Sequence, residues 1–401
     1  MNGCLIVSTY APRKCGIATF SKDLRDNLPI KDHKVLIAAI SESFSSHTYP
    51  AEVAFEVRQN RKADYISCAN WVNQNPDIDM VILQHEYGIF GGQNGDYVLE
   101  LASHLKKPYL LVSHTVLPEP SINQKKIFTR LADSAVGVIC MTERARKLLQ
   151  SVYDVSADKI FIVPHGVPHF TIKNRDHLKE KYGLAGRRII TTFGFISPGK
   201  GLEIGLKALA MVVNDHPEAL YIIAGSTHPV LMREQGERYR NLITSMVTDL
   251  HLENNVLFVN RFLDVDELGD YLYMTDIYLS PYPNRDQAVS GPLSFAVGCG
   301  RAVISTPYEY AQEILADGRG LIASDITAEA LAQHLKTILE NPDIQTKLEK
   351  EAAKFGQHLT WESAGSRYIE IAEEVLTHDQ AEPYLQDKKQ PGLQASAADD
   401  R

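Results

Sequence analysis

The stretch RIITTFGFISPGKGLEIGLKAL (188–209), followed shortly by ALYIIAG (219–225), decides the fold. Its first residues are apolar or β-branched at consecutive positions, not alternate ones, which is the pattern of a strand covered on both faces. A loop carrying Gly194 and Lys200 then leads into a helical run, and ALYIIAG repeats the strand pattern. Two fully apolar strands separated by a helix imply parallel pairing through a right-handed crossover.

The same unit recurs on either side. Apolar runs stand at 4–10, 34–40, 80–86, 109–115, 136–142 and 160–166, and again at 188–194, 219–225, 255–262, 276–282, 302–307 and 320–323. A chain of 401 residues exceeds what one core usually accommodates, so the two series are expected to form two Rossmann-like α/β domains facing a central cleft. The first is expected over 1–170 and the second over 187–358, joined through GVPHFTIKNRDHLKEKYGLAGR, which has Pro, Gly and mixed charge but no apolar strand. Residues 380–401 are polar and low in bulky apolar side chains, and are expected to be disordered.

Several function classes are disfavoured. The net charge of −9 argues against a general nucleic-acid binder, which needs a basic surface. No run approaches the roughly 18 apolar residues of a membrane span, and the start, MNGCLIVSTYAPRKCG, has no basic segment ahead of a signal-peptide core, so a cytoplasmic location is expected. The run NQKKIFTRLA (123–132) fits either a solvated helix face or a peripheral contact with an anionic lipid. The five cysteines show no CxxC spacing, and HEYGI is not HExxH, so no metal site is expected. Neither GxGxxG nor a Walker A motif occurs.

In open parallel sheets ligands lie beyond the carboxyl ends of the strands. Those positions are polar here: Gly16 and Ile17 after the first run, then His85, Glu86 and Tyr87, then His114, His165, Gly194 to Gly201, Gly225, and Pro281 to Gly291. Glycines at a helix start with Lys200 beside them suit a diphosphate, although a Gly-containing turn with an exposed lysine gives the same letters. His114 could equally be a hydrogen-bonded structural residue, and His165 a residue of the hinge.

Taken together, APRKCGIATF, IVPHGV, FGFISPGKGLE, VGCGRAVISTP and LTWESAGSRYIEIAEEV resemble, in that order, motifs of the retaining GT-B glycosyltransferases of family 4. The resemblance implies an acceptor-binding first domain, a nucleotide-sugar-binding second domain, and a closing helix over 361–377 that returns to the first. It implies transfer of a hexosyl group, mannose from GDP-mannose before a UDP-hexose, to a saccharide or other hydroxyl acceptor with retention, and with neither metal nor cofactor. By similarity His114 would contact the transferred sugar, Lys200 would hold the diphosphate, and Gly16, Ile17, Gly194, Gly225, Ser290, Gly291 and Pro292 would line the donor site. His85, Glu86, Tyr87 and His165 would lie on the acceptor side.

The pattern departs from the family at three positions. Phe195 stands where a phosphate-binding Arg is expected, with Arg261 as a candidate substitute. Gln287 and Phe295 stand where the two glutamates of the E-x7-E motif are expected. A Gln can hydrogen-bond sugar hydroxyls, whereas a Phe cannot bind a ribose diol. Two other readings stay open: a sugar phosphorylase on the same fold using inorganic phosphate, and a non-catalytic sugar- or partner-binding protein.

Overall fold

The computed structural model describes residues 3–30, 34–42 and 48–386. Thirteen strands form two sheets: β1 Cys4–Ser8, β2 Val35–Ser41, β3 Val53–Arg58, β4 Met80–His85, β5 Tyr109–Ser113, β6 Gly137–Cys140 and β7 Ile160–Ile162 in the first, and β8 Arg188–Phe193, β9 Ala219–Ala224, β10 Val256–Val259, β11 Ile277–Ser280, β12 Ala302–Ser305 and β13 Leu321–Ile322 in the second. Their orders are β3-β2-β1-β4-β5-β6-β7 and β10-β9-β8-β11-β12-β13, with every pairing parallel. Each order reverses once, between β1 and β4 and between β8 and β11, and a crevice opens at each reversal.

Helices cover both faces of each sheet. In the first domain Leu5, Val81, Leu83 and Leu111 pack under the helices Lys62–Gln74, Val98–His104 and Ile122–Ser134, while Ile6, Ile82, Leu110 and Val112 pack under the helices Gly16–Asn27 and Trp361–Gln386. Local sequence sets the helix starts. Ser121 and Gln124 form a reciprocal capping box, and Thr142, Asp264, Ser290 and Thr327 each accept a hydrogen bond from a first-turn amide.

The sequence reading missed β3. Its residues alternate in exposure, Val57 alone being buried, because the strand lies at the sheet edge, and the search for continuous apolar runs passes over such a pattern. At the other end of the chain, the helix from Trp361 continues to Gln386, into the stretch expected to be disordered, and 387–401 lies outside the described residues.

The chain crosses between the domains twice at one place. Val167 pairs with Thr360 as an isolated parallel bridge, with Val167 N–H on Leu359 O at 2.6 Å and Trp361 N–H on Val167 O at 3.3 Å. Trp361, Ala364, Tyr368, Ile371, Ala372 and Val375 are then buried in the first domain's core, and a Cβ on Gly166 would lie 2.2 Å from Trp361 Cδ2.

Candidate active site

The second domain supplies a cationic wall. Beyond β8 the chain turns through Gly194 at φ +116°, a value that side chains rarely adopt. A Cβ there would lie 3.3 Å from Lys200 Nζ and 3.4 Å from Pro292 Cγ, so the glycine lets these two groups meet at the strand end. Lys200 Nζ donates to the Tyr282 hydroxyl at 2.5 Å and lies 4.5 Å from the ring centroid. Ser290 caps the helix Gly291–Gly298 by accepting from Leu293 N–H at 3.3 Å, and its hydroxyl donates to the same Tyr282 oxygen at 3.3 Å. A lysine ammonium and the positive end of a helix therefore converge beside Gly194, an arrangement that favours an anion.

Neighbouring loops brace this wall. Gly225, at φ +146°, abuts Gly194, since a Cβ would fall 1.9 Å from Gly194 O. The buried Arg240 donates to Gly225 O at 2.8 Å and Thr227 Oγ1 at 3.2 Å and also bonds Asn260, tying the ends of β9 and β10 together. Phe195 meets His228 at 5.6 Å and Phe262 at 6.0 Å, an aromatic corner in the place of the expected guanidinium. His228, which the sequence reading did not single out, has its pKa lowered first by burial and then by the charge of Lys200. The candidate substitute Arg261 is committed elsewhere, because its guanidinium forms a two-pronged ion pair with Glu267 on the helix Val265–Met274.

On the opposing wall Gly16 begins the helix Gly16–Asn27, with Ile17 next, behind a cap in which Cys15 Sγ accepts from Ala18 N–H at 3.3 Å. A Cβ on Gly16 would meet nothing within 4 Å, so packing does not require the glycine; its helix start faces open space. His114 lies edge-on to Phe20 at 4.7 Å, and its Nε2 shares a hydrogen bond of 2.7 Å with Gln84 Oε1. Burial holds His114 neutral, its pKa pushed down to about 3, with His165 and His85 adding smaller shifts.

His85, expected on the acceptor side, is buried away from His114. Strand residues alternate faces, and Gln84 points toward His114 while His85 points the other way, into a cage of Tyr87 at 4.8 Å, Phe128 at 5.3 Å and Phe90 at 6.2 Å. It is a core histidine with an unpartnered Nδ1. Glu86 accepts from Tyr87 N–H at 3.0 Å and from Thr115 Oγ1 at 2.5 Å, so it fixes the strand-end turn, and burial raises its pKa. Tyr87 is itself buried and donates to Gln124 O at 3.4 Å. His165 sits at the domain junction: Nδ1 shares a 2.7 Å hydrogen bond with Gly166 O, while Nε2 would lie 3.3 Å from a Cβ on Gly291.

Gln287 donates its amide to Val289 O at 2.8 Å, inside its own loop. Phe295 packs against Phe170, Phe193 and His165 and presents no polar atom. A small crevice at the domain junction is lined by Val116, Pro118, Thr142, Arg144, Ala145 and Leu148 from the first domain and by Asp286, Ala288, Glu309 and Tyr310 from the second, and includes neither Lys200 nor His114. A carboxylate clasp spans its rim. Glu313 accepts from the backbone N–H groups of Glu143 at 2.7 Å and Arg144 at 3.2 Å, at the start of the helix Glu143–Ser151, and Arg144 pairs with Glu309 at 3.3 Å. Across the cleft Arg233 reaches Glu42 at 3.3 Å.

Residues 174–355, which carry Lys200, Tyr282 and the Ser290-capped helix, match the family described as Glycosyl transferases group 1. The second domain is thus similar to the group 1 glycosyltransferases over its length. The two described domains together have the GT-B fold: they superpose on Anabaena HepE in complex with UDP at a TM-score of 0.74 and 16% identity, covering 92% of this chain and 100% of that one. Among relatives of similar sequence, alpha-monoglucosyldiacylglycerol synthase of Streptococcus pneumoniae is 24% identical over 333 residues, which span 76% of this chain and 71% of that protein. GDP-mannose-dependent alpha-(1-6)-phosphatidylinositol monomannoside mannosyltransferase of Mycolicibacterium smegmatis is 23% identical over 211 residues, 49% of this chain and half of that one. No helix among the described residues of this glycosyltransferase-fold chain is long and apolar enough to cross a membrane.

Proposed function

We propose that the protein transfers a hexosyl group from a nucleotide-sugar to a hydroxyl acceptor with retention of configuration. The observation that carries this reading is Lys200, whose ammonium stands at the capped N-terminus of the helix Gly291–Gly298, where a leaving diphosphate needs positive potential. The acceptor oxygen bonds to the anomeric carbon on the face from which the diphosphate departs. The anomeric C–O bond breaks, and the acceptor proton passes to the leaving phosphate oxygen, so no strong protein base is required. This matches a site whose nearby histidine, His114, is held neutral, and whose Gln287 carries no charge.

The sugar sits between His114 and Gln287, and Gly16 and Ile17 face the diphosphate from the first domain. The diphosphate charge is met by Lys200 and helix dipoles; among the described residues no three His, Cys, Asp or Glu side chains converge on a cation position. Mannose from GDP-mannose is the first donor to test and glucose from UDP-glucose the second, since relatives named for each sugar are similar to this chain. A donor panel scored by nucleoside diphosphate release tests the reading. Lys200→Ala is expected to lower turnover about a hundredfold, the scale of losing one preorganised charge at a developing anion; undiminished transfer would overturn the assignment.

A phosphorylase is the second reading, favoured by Phe195 and Phe295 standing where phosphate and ribose contacts are expected. Release of a sugar 1-phosphate from an oligosaccharide with inorganic phosphate, without any nucleotide-sugar turnover, would select it.

A further inference from the structure

A lysine at an anion site presents two physical difficulties. Its side chain is long and flexible, so fixing it costs rotamer entropy, and an acidic partner that fixed it would also neutralise it. Arg261 shows the second outcome, since Glu267 cancels its charge. Lys200 shows neither: among the described residues the only hydrogen-bond partner of its ammonium is the uncharged phenol of Tyr282, at 2.5 Å, with the ring face 4.5 Å from Nζ.

Tyr282 is well placed to serve as that anchor. It is buried, stacks on Tyr308 at 5.1 Å and 10°, and Tyr308 is tied to Ser280 by a 2.7 Å hydrogen bond. Thr306 Oγ1 donates to the backbone oxygen of Tyr282 at 2.6 Å. The phenol oxygen also accepts from Ser290, the hydroxyl that caps the helix Gly291–Gly298, so one oxygen joins the two halves of the anion cradle.

We propose that Tyr282 is the positioning residue of the anion site, holding Lys200 at the helix N-terminus without quenching its charge and coupling the lysine to the Ser290 cap. The inference rests on the reading of this site as the holder of a diphosphate leaving group. It predicts a chain of dependence in which the phenol acts only through the lysine.

The test uses inorganic pyrophosphate as probe, titrated calorimetrically into the full chain, Tyr282→Phe, Lys200→Met and the double variant. Tyr282→Phe keeps the ring and its stacking and removes one oxygen, so the fold is retained. Pyrophosphate is expected to bind Tyr282→Phe about tenfold more weakly, and the double variant no more weakly than Lys200→Met alone, because residues that act as one unit do not add. In the donor panel Tyr282→Phe is expected to lower kcat with the acceptor KM unchanged. Wild-type affinity in Tyr282→Phe, multiplicative losses in the double variant, or an unaltered chain that does not bind pyrophosphate would each overturn the proposal. If pyrophosphate binding depends on Tyr282 as stated while no nucleotide-sugar is turned over, the transferase reading falls and the positioning role stands.

Discussion

Moving His85 from the acceptor side to the core can be tested by its effect on acid stability. The perturbation is His85→Phe, which fits a ring into the cage of Tyr87, Phe90 and Phe128 and removes the unpartnered Nδ1. Burial drives the His85 pKa down to about 3 in the folded protein, against an ordinary value of about 6.5 in the unfolded chain. Below about pH 6.5 the unfolded chain takes up a proton that the folded protein refuses, so folding stability is full above that pH and falls with acidification until about pH 3. At pH 5.0 the unfolded state lies about 1.5 units below its pKa, and at about 1.4 kcal/mol per unit the wild type loses roughly 2 kcal/mol through this residue relative to pH 7.5. The Phe variant lacks that loss. Urea unfolding followed by far-UV circular dichroism at both pH values should show the wild type losing about 2 kcal/mol more than His85→Phe, with the two within roughly 1.5 kcal/mol of each other at pH 7.5. Equal losses would refute the claim that the imidazole is held neutral in the core. A stably folded His85→Phe with no donor turnover would return the residue to the active site.

Two further outcomes follow from the cleft. Gln287→Glu restores the acid of the related motif, yet a carboxylate cannot donate to Val289 O, so the variant is expected to lose the loop's 2.8 Å bond and transfer several-fold more slowly than wild type; faster transfer in the kinetic assay would show that the amide is a handicap. Glu313→Gln weakens the clasp on the N-terminus of the helix Glu143–Ser151 and should raise the donor KM a few-fold, with a larger radius of gyration by solution X-ray scattering; unchanged dimensions and KM would show that the clasp does not hold the domains together.

Much of the architecture was legible in the sequence because parallel strands buried on both faces reveal themselves locally, as RIITTF and ALYIIA do. The edge strand β3 was not, since half of its side chains face solvent. The backbone features of the candidate site were legible: Gly194 and Gly225 follow strands at positive φ and Ser290 caps a helix, positions with their own letters. The site was illegible where it rests on which face a side chain takes or whom it meets. His85 and Gln84 are adjacent in sequence, yet only Gln84 faces His114, and a one-residue shift of a period-2 pattern separates the two outcomes. Arg261 was expected at the phosphate because nothing local shows that Glu267 captures it. Tyr282 and Glu313 were not singled out because their partners Lys200 and Glu143 are distant in sequence, and a tyrosine after an apolar strand carries no distinguishing signal.

The double crossing at Val167 and Thr360 has an evolutionary corollary. The chain leaves the first domain and re-enters it through two backbone segments that touch, so everything from 168 to 359 is topologically a cassette inserted into one spot of a seven-stranded host. A recombination event that exchanges this cassette needs only two joints lying side by side, and leaves the host core, closed by Trp361 and the helix behind it, intact. Recognition on one wall of the cleft can therefore be replaced wholesale while the other wall is inherited unchanged.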